Sequence, residues 1–313
     1  MNEGLKVIFE KLKKRIDSAK TELYYRKYFE WRLPTRPFIQ VNMETNSVCT
    51  RKCHFCLFGI KDVPVKKMSP RLFFSIINQL ADMRFRGRIS LFEINEPLTD
   101  KRIYDFTRYV SILLPDCYQL MVTNGDLLNR ERLDALMDNG VDLLVINSYD
   151  RKALERNRVN ARYGIEKYHG MVQHCDKTTF TEWVSRAGHI KQYAKEAVHD
   201  FCEYPNYILY IKPDGKVLGC WHDFDEENVM GDLNQEPVRD IWYGKRFKDF
   251  RKALNRGDRS LSTLCKRCDH RPDINYMRWN RMLAHEKCSD RHASNDNKVR
   301  RNEVAAAIKR KYL

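Results

Sequence analysis

The stretch Cys49-Thr-Arg-Lys-Cys53-His-Phe-Cys56 decides the fold of this 313-residue chain. Its C-x3-C-x2-C spacing supplies three thiolates, and thiolate-only ligation is typical of iron–sulfur clusters or zinc. A structural zinc site needs a fourth ligand to complete its tetrahedron. His54 is available on paper, but it lies between two cysteines and is expected to point away from a site that they share. The pattern therefore predicts a metal centre with one corner open to another molecule.

The sequence around this stretch predicts alternating strands and helices. Residues 38–44 have strand propensity and run directly into the cysteines, which places the cysteine loop at the carboxyl end of a first strand, where barrel enzymes carry their chemistry. Ser69 and Pro70 predict a helix start. Further strands are predicted at 88–94, 118–122 and 141–146, and further helices at 103–113 and 129–139. Helices of this length between strands imply parallel crossovers, which fit a partial barrel or a doubly wound sheet.

The cysteine spacing, with the aromatic Phe55 before the third cysteine, resembles the signature of the radical S-adenosylmethionine (SAM) superfamily. The resemblance implies an α/β fold, a partial (β/α) barrel, in which Cys49, Cys53 and Cys56 hold a [4Fe-4S] cluster. In this family SAM chelates the open iron. An electron from the cluster splits SAM into methionine and a 5′-deoxyadenosyl radical, which abstracts a hydrogen atom from the substrate.

Two short motifs extend the resemblance. Asn95-Glu96-Pro97 follows the second predicted strand, where the family usually has Gly-Gly-Glu-Pro and binds the SAM amino group; here Ile94 and Asn95 replace the glycines. Thr123-Asn124-Gly125 is similar to a Thr-Asn-Gly turn common in these enzymes, and a plain tight turn is its alternative. The resemblance thus implies a SAM-binding set of Phe55, Glu96, Thr123 and Asn124.

A second cysteine group, Cys202, Cys220, Cys265 and Cys268, lies in the last third of the chain. The first two flank a predicted hairpin, 207–212 and 216–221, and the later pair follows a predicted amphipathic helix at 238–254. Taken alone, four convergent cysteines would equally suit a zinc ribbon. Together with the first motif they resemble a twitch domain, the shortened SPASM domain of radical SAM enzymes. That resemblance implies a small hairpin-plus-helix domain holding a second [4Fe-4S] cluster.

The ligand count favours a redox role for this second cluster. With four protein ligands no iron is open to substrate, so the cluster is suited to accept an electron. Hydrogen abstraction beside a hydroxyl gives a radical that must lose one more electron to become a carbonyl. A one-electron acceptor inside the protein meets that need. The resemblance, which extends to an alcohol-oxidising member of the family, implies an oxidoreductase that converts a secondary alcohol of a sugar or cyclitol to a carbonyl.

One further stretch bears on catalysis. Ser185-Arg186-Ala187-Gly188 resembles an Asn-Arg-Gly-Gly stretch in alcohol-oxidising members of the family. The resemblance implies that Arg186 contacts the substrate hydroxyl, and the alternative is a structural arginine that pairs with a carboxylate.

Two other functions stay open from the sequence. A peptide-modifying radical SAM enzyme, either an epimerase or a cross-linking maturase, would carry the same cysteines, and an epimerase would use Cys175 or Cys288 to return a hydrogen atom. A non-catalytic zinc protein is the third possibility. The predicted partners are a small-molecule or peptide substrate and an external one-electron reductant such as flavodoxin or ferredoxin.

Length and composition set the remaining expectations. Four segments are predicted: a helical extension at 1–36, a radical SAM core at 37–195, a cluster domain at 196–270 and a basic helical tail at 271–313. The net charge of +15 is spread along the chain, and without a nucleic-acid module no nucleic-acid partner is expected. No apolar stretch approaches the roughly 18 residues of a membrane helix. Cysteines in cluster spacing predict a reducing cytoplasm.

Overall fold

Eight strands form one continuous sheet, and their order distinguishes a barrel from a doubly wound fold. The computed structural model describes residues 38–271 and 296–313. Within them the strands are β1 (Gln40–Met43), β2 (Arg88–Ser90), β3 (Tyr118–Thr123), β4 (Leu143–Ser148), β5 (Val172–Asp176), β6 (Ile208–Ile211), β7 (Lys216–Leu218) and β8 (Val229–Asp232). The order across the sheet is β5-β4-β3-β2-β1-β6-β7-β8.

From β1 to β5 each strand adds in parallel beside the one before it. The sheet therefore winds in one direction, as a barrel does, whereas a doubly wound sheet reverses its strand order. The predicted partial (β/α) barrel is confirmed.

The helices line the outside of this sheet. In the described part of the chain they are α1 (Leu57–Ile60), α2 (Pro70–Asp82), α3 (Ile103–Leu113), α4 (Arg130–Asp138), α5 (Arg151–Tyr168), α6 (Val238–Tyr243), α7 (Lys245–Asn255), α8 (Thr263–Arg267) and α9 (Asp296–Tyr312). The predicted helical extension at 1–36 and the part of the predicted tail from 272 to 295 lie outside the described residues. No helix in the two described ranges is long and apolar enough to cross a membrane.

Helix α2 shows how the sequence builds the barrel wall. The Ser69 hydroxyl accepts a hydrogen bond from the Leu72 amide at 3.1 Å, and Pro70 occupies the first helical position, as N-cap chemistry predicts. The buried face of the helix consists of Leu72, Phe73, Phe74, Ile76, Ile77 and Leu80. Burying one large apolar side chain stabilises the fold by about 1.5–3 kcal/mol, so this face fixes the helix on the sheet.

The predicted hairpin is present and joins the barrel sheet. Strands β6 and β7 are antiparallel, and Gly215 in their turn has a φ of +93°, which favours glycine. Strand β6 also pairs in parallel with β1, with Gln40 opposite Ile208 and Met43 opposite Ile211. The cluster-domain hairpin is therefore hydrogen-bonded directly to the strand that precedes the first cysteine loop.

Two predicted boundaries are wrong. The second strand ends at Ser90 instead of Ile94, because the Glu93 and Ile94 amides donate to the Asn95 and Glu44 side chains and not to a neighbouring strand. The predicted helix at 238–254 is two helices, α6 and α7, separated at Gly244. A β-carbon there would lie 2.7 Å from the Asp240 carbonyl oxygen, so the backbone uses glycine to change direction.

The last part of the predicted basic helical tail is helix α9, and it packs on α2 and α3. Ala305 and Ile308 are buried in the core. Lys311 and Tyr312 both donate hydrogen bonds to the Asp105 carboxylate of α3, at 2.7 and 2.6 Å. This helix therefore covers part of the outer barrel wall.

Candidate active site and cluster ligands

The first cysteine loop follows β1 and is compact. The Cys56 amide donates to the Cys53 carbonyl at 3.0 Å, and Cys56 is the N-cap of α1. Gly59 packs so closely on the loop that a β-carbon would lie 2.0 Å from the Cys53 carbonyl oxygen. All three thiols are free and partly exposed. Gly59 thus supports the loop at a place where no larger residue fits. The three thiols of the loop are a donor set that fits an iron–sulfur cluster.

A charged brace holds this loop against the barrel. The Arg51 guanidinium donates to both carboxylate oxygens of Asp126, at 2.7 and 2.6 Å, and to Asp150 at 2.6 Å. Arg156 of α5 also donates to Asp126 at 2.6 Å. Bidentate arginine–carboxylate pairs combine strength with fixed geometry, so the brace sets the orientation of the cysteine loop. Sequence reasoning missed it because its members are far apart in the chain.

The predicted SAM-binding residues Glu96, Thr123 and Asn124 come together beside this loop. Glu96 is buried, and its carboxylate accepts hydrogen bonds from the Thr123 hydroxyl at 2.7 Å and from the Asn124 amide at 2.8 Å. Burial raises the pKa of the Glu96 carboxyl. The Asn124 side chain donates to the Thr50 hydroxyl at 2.9 Å and lies 3.8 Å from the Cys49 sulfur. Glu96 therefore ties the ends of β2 and β3 to the cysteine loop.

Backbone groups in the same place suit an ammonium. The carbonyl oxygens of Ile94 and Asn95 accept no hydrogen bond from the described part of the chain. Both residues stand where the family has glycines, and the Asn95 side chain turns away to donate to Asn46 at 3.2 Å. Free carbonyls beside a cluster loop fit the amino group of SAM.

The fourth predicted SAM contact, Phe55, is buried and stacks on Trp183, with ring centroids 3.7 Å apart and an interplanar angle of 5°. Tyr149 packs on the same phenylalanine at 4.9 Å. The neighbouring His54 turns away and hydrogen-bonds the Tyr193 hydroxyl, as predicted. Trp183 was missed, since a lone tryptophan in an irregular segment carries no sequence signal.

The second cysteine group surrounds the open end of the hairpin. Cys202 precedes β6 and Cys220 follows β7, while Cys265 lies in α8 and Cys268 caps it. Burial raises the pKa of the Cys202 thiol to about 12 and of the Cys265 thiol to about 11. Burial likewise raises the pKa of Cys53 in the first group to about 12. For these three thiols, the positive charge of a bound metal would favour the ionised form that metal ligation requires.

The described residues contain no set of three histidine, cysteine, aspartate or glutamate side chains arranged around a single metal ion. One zinc ion gathers its thiolates at about 2.3 Å from one point. A [4Fe-4S] cluster places each thiolate on a different iron, so its ligands do not converge on one atom. Three thiols in the first group and four in the second are donor sets that fit [4Fe-4S] clusters.

Arg186 lies between the two cysteine groups. Its positive charge lowers the pKa of Cys56 in the first group, of Glu93, and of His222 next to the second group. The guanidinium stacks 5.1 Å above the Trp221 ring. Its buried Nε atom has no hydrogen-bond partner, and no ion pair to Arg186 occurs among residues 38–271 and 302–313. Within those ranges Arg186 is therefore not paired with a carboxylate.

The backbone around Arg186 is unusual. Arg186 and Ala187 have φ values of +55° and +57°, and Gly188 follows at +79°. Left-handed non-glycine residues carry a conformational cost and cluster at functional sites. The segment is held by Ser185, which hydrogen-bonds Asp269, and by Arg267, which donates to the Ala187 carbonyl at 3.3 Å. Residues beside Cys268 thus position the Arg186 side chain.

A cavity of about 410 Å³ occupies the barrel interior, a volume typical of small-molecule sites. Its lining consists of Asn42, Arg88, Phe92, Glu93, Leu120, Val122, Tyr204, Ile208, Tyr210, Trp221 and His270. Trp221 links this cavity to Arg186 and to the second cysteine group. The lining is mostly apolar, and Asn42, Arg88, Glu93 and His270 add the polar groups that a hydroxylated ring needs for hydrogen bonds.

The remaining cysteines have other surroundings. Cys117 is buried and its thiol contacts the Phe85 carbonyl at 3.2 Å, which indicates a structural role. Cys175 is half-buried on β5, which forms one edge of the sheet. Cys288 lies outside the described residues.

Comparisons with known proteins agree with this geometry. The radical SAM superfamily model matches residues 43–177, and an iron–sulfur cluster-binding domain model, SPASM, matches residues 202–269. Over 237 residues the chain is 30% identical to an S-adenosyl-L-methionine-dependent 2-deoxy-scyllo-inosamine dehydrogenase of Niallia circulans, covering 74% of this chain and 93% of that protein.

Solved structures give the same picture. The crystal structure of BtrN in complex with AdoMet and 2-DOIA matches with a TM-score of 0.66 and 28% identity, over 75% of this chain and 94% of that one. Native anSMEcpe with bound AdoMet, at 14% identity and a TM-score of 0.51, covers 86% of this chain and 100% of that one and shares the fold. This chain belongs to the radical SAM superfamily. It is a SPASM-bearing enzyme of that family, with SAM and two [4Fe-4S] clusters as its cofactors.

The Gly59 contact makes a prediction about the first cluster. Gly59→Ala should displace the Cys53 backbone, because the new methyl group has no room beside its carbonyl. We expect anaerobically reconstituted protein to fall from about eight to about four iron atoms, since each cluster contributes four. Gly170→Ala is the matched control: its φ of +85° strains an alanine, but no atom lies within 4 Å. A Gly59→Ala protein that still binds about eight iron atoms would contradict the inference that Gly59 supports the first cysteine loop.

Proposed function

We propose that this enzyme oxidises a secondary alcohol of a cyclitol or sugar to a carbonyl. The observation that carries the proposal is Arg186, a half-buried arginine whose buried Nε has no hydrogen-bond partner and whose guanidinium stacks on Trp221 at the interior cavity. A relative at 30% identity is described as a 2-deoxy-scyllo-inosamine dehydrogenase. An aminocyclitol related to that compound is therefore the proposed substrate class.

The ligand assignments follow the two cysteine groups. Cys49, Cys53 and Cys56 would hold the first cluster, and Cys202, Cys220, Cys265 and Cys268 the second, with 196–270 as the cluster domain beside a core at 37–195. Phe55, Glu96, Thr123 and Asn124 would form the SAM site. When bound, SAM and the first cluster supply a hydrogen-abstracting radical, and the second cluster supplies a one-electron acceptor.

The protein's own residues then have three tasks. The cavity encloses the sugar ring and limits the access of water to a reactive centre. Arg186 donates hydrogen bonds to the hydroxyl oxygen and stabilises negative charge that develops there. The loop from Ser185 to Gly188, tied to Asp269 and Arg267, holds the guanidinium in place while the substrate changes.

The cellular setting is part of the proposal. An external one-electron reductant of the flavodoxin or ferredoxin type would feed the first cluster. The nine cysteines of the described ranges are all free, which supports a reducing cytoplasm.

Product analysis tests the proposed reaction against its main rival. We expect anaerobic enzyme with SAM, reductant and 2-deoxy-scyllo-inosamine to form a ketone lacking two hydrogens, together with 5′-deoxyadenosine. Mass spectrometry in heavy water separates the outcomes. A product that gains one deuterium without losing hydrogens would indicate an epimerase, and modification of a peptide alone would overturn the substrate class.

Arg186→Lys tests the role of the guanidinium. Lysine keeps the charge but loses the planar donor fork. Loss of one charge-assisted hydrogen bond, about 1.5 kcal/mol, should lower the rate of carbonyl formation about tenfold, while SAM cleavage without substrate stays near the wild-type rate.

The matched control for this substitution is Arg84→Lys, an exposed position at the end of α2 with a φ of +52°. It makes the same change on the same backbone conformation outside the cavity. Equal carbonyl formation by the wild type and both variants would remove Arg186 from the proposed mechanism.

A further inference from the structure

Glu93 carries a carboxylate in the barrel interior, and the reaction proposed above assigns this group no role. It lies just beyond the carboxyl end of β2, a position where barrel enzymes carry functional groups, and it lines the 410 Å³ cavity. Its Oε2 accepts a hydrogen bond from Asn42 of β1. No arginine, lysine or histidine forms an ion pair with Glu93 in the described residues.

This isolation distinguishes Glu93 from the other acids nearby. Glu44 is paired with Lys212 at 2.6 Å and also accepts from the Ile94 amide at 3.0 Å. Glu96 is fully engaged by Thr123, Asn124 and Leu98. Of these three acids, only Glu93 has a carboxylate oxygen that no protein group bonds.

We propose that the Glu93 carboxylate accepts the proton of the substrate hydroxyl during oxidation. The inference rests on the alcohol oxidation proposed above. In the balanced step, the carbinol carbon would lose a hydrogen atom to the 5′-deoxyadenosyl group, which SAM would supply after taking one electron from the external reductant and releasing methionine. The hydroxyl loses its proton to Glu93, and the second cluster would supply the acceptor for the remaining electron, so that the C–O single bond becomes a carbonyl.

Arg186 and Glu93 have complementary tasks in this arrangement. Arg186 stacks on Trp221, and Trp221 and Glu93 line the same cavity, so a substrate oxygen in that cavity can meet both groups. An arginine guanidinium donates hydrogen bonds but has no acceptor atom and does not act as a base. The carboxylate supplies the acceptor that the arginine lacks.

The surroundings of Glu93 tune it for proton transfer. Burial raises its pKa to about 7, with a further increase from Glu44 and opposing effects of Asn42, Arg186 and Lys212. A general base is most effective when its pKa lies near the working pH. Below pH 7 the carboxyl is protonated and inactive as a base, so carbonyl formation should rise as the pH passes through about 7.

Other charged or titratable groups face the same cavity, namely Arg88 from β2 and His270 beyond α8, with Asp223 lining the adjoining space. Glu93→Gln leaves His270 unchanged, so this variant decides which group produces the pH profile.

The decisive experiment compares wild type with Glu93→Gln on 2-deoxy-scyllo-inosamine deuterated at the carbinol carbons. Glutamine keeps an oxygen for Asn42 and loses the proton acceptor. We expect carbonyl formation to fall about 100-fold, the usual contribution of a general base. Deuterium should still reach 5′-deoxyadenosine, and the rise of the rate near pH 7 should disappear. Glu93→Asp should recover part of the pH dependence.

Glu131→Gln, at an exposed position in α4, is the matched control and should behave as wild type. Substrate binding to the SAM-loaded protein, followed by calorimetry, should be similar in Glu93→Gln. If Glu93→Gln loses substrate binding while its residual activity keeps the wild-type pH profile, the proposal is overturned and Glu93 is a substrate-binding residue. A wild-type ratio of carbonyl to 5′-deoxyadenosine in Glu93→Gln would also overturn the proposal. Wild-type protein that forms no carbonyl would refute the proposed function instead, which separates the two failures.

Discussion

The parallel pairing of β1 with β6 is the constraint on which the rest of the structure depends. It joins the strand before the first cysteine loop to the hairpin that carries Cys202 and Cys220. The first cysteine loop follows the carboxyl end of β1, whereas the second group surrounds the opposite end of the β6–β7 hairpin. The two cluster sites are thereby separated along the same pair of strands, with the interior cavity and Arg186 between them. A substrate in that cavity would lie between a source of radicals and an electron acceptor.

Side-chain bonds between strand ends give this arrangement its precision. Glu96 ties β2 to β3, and Lys212 after β6 pairs with Glu44 after β1 at 2.6 Å. Arg51 fastens the cysteine loop to Asp126 and Asp150. Buried or partly buried charges are costly unless paired, so these contacts restrict the loops to few conformations. Arg186 and Glu93 differ because neither forms an ion pair in the described part of the chain.

Local chemistry explains what the sequence could predict. Cysteine spacing, the Ser69 cap and the Pro213-Asp214-Gly215 turn are signals within a few residues, and each was located correctly. The family resemblance supplied the cofactors and drew attention to Arg186. Glu93 was missed because its segment has strand propensity and was assigned to β2, although the side chains of Glu44 and Asn95 take up its backbone amides. The Arg51 brace and the Trp183 stack depend on contacts between distant segments, which spacing along the chain does not encode.

The most direct test of this account is an electron count on the second cluster after a single turnover without added oxidant. Freeze-quenched, iron-57-labelled protein would be analysed by Mössbauer spectroscopy, with carbonyl product measured in the same samples. The account predicts one electron stored in the cluster held by Cys202, Cys220, Cys265 and Cys268 for each carbonyl formed. Carbonyl that accumulates while this cluster stays oxidised would contradict it.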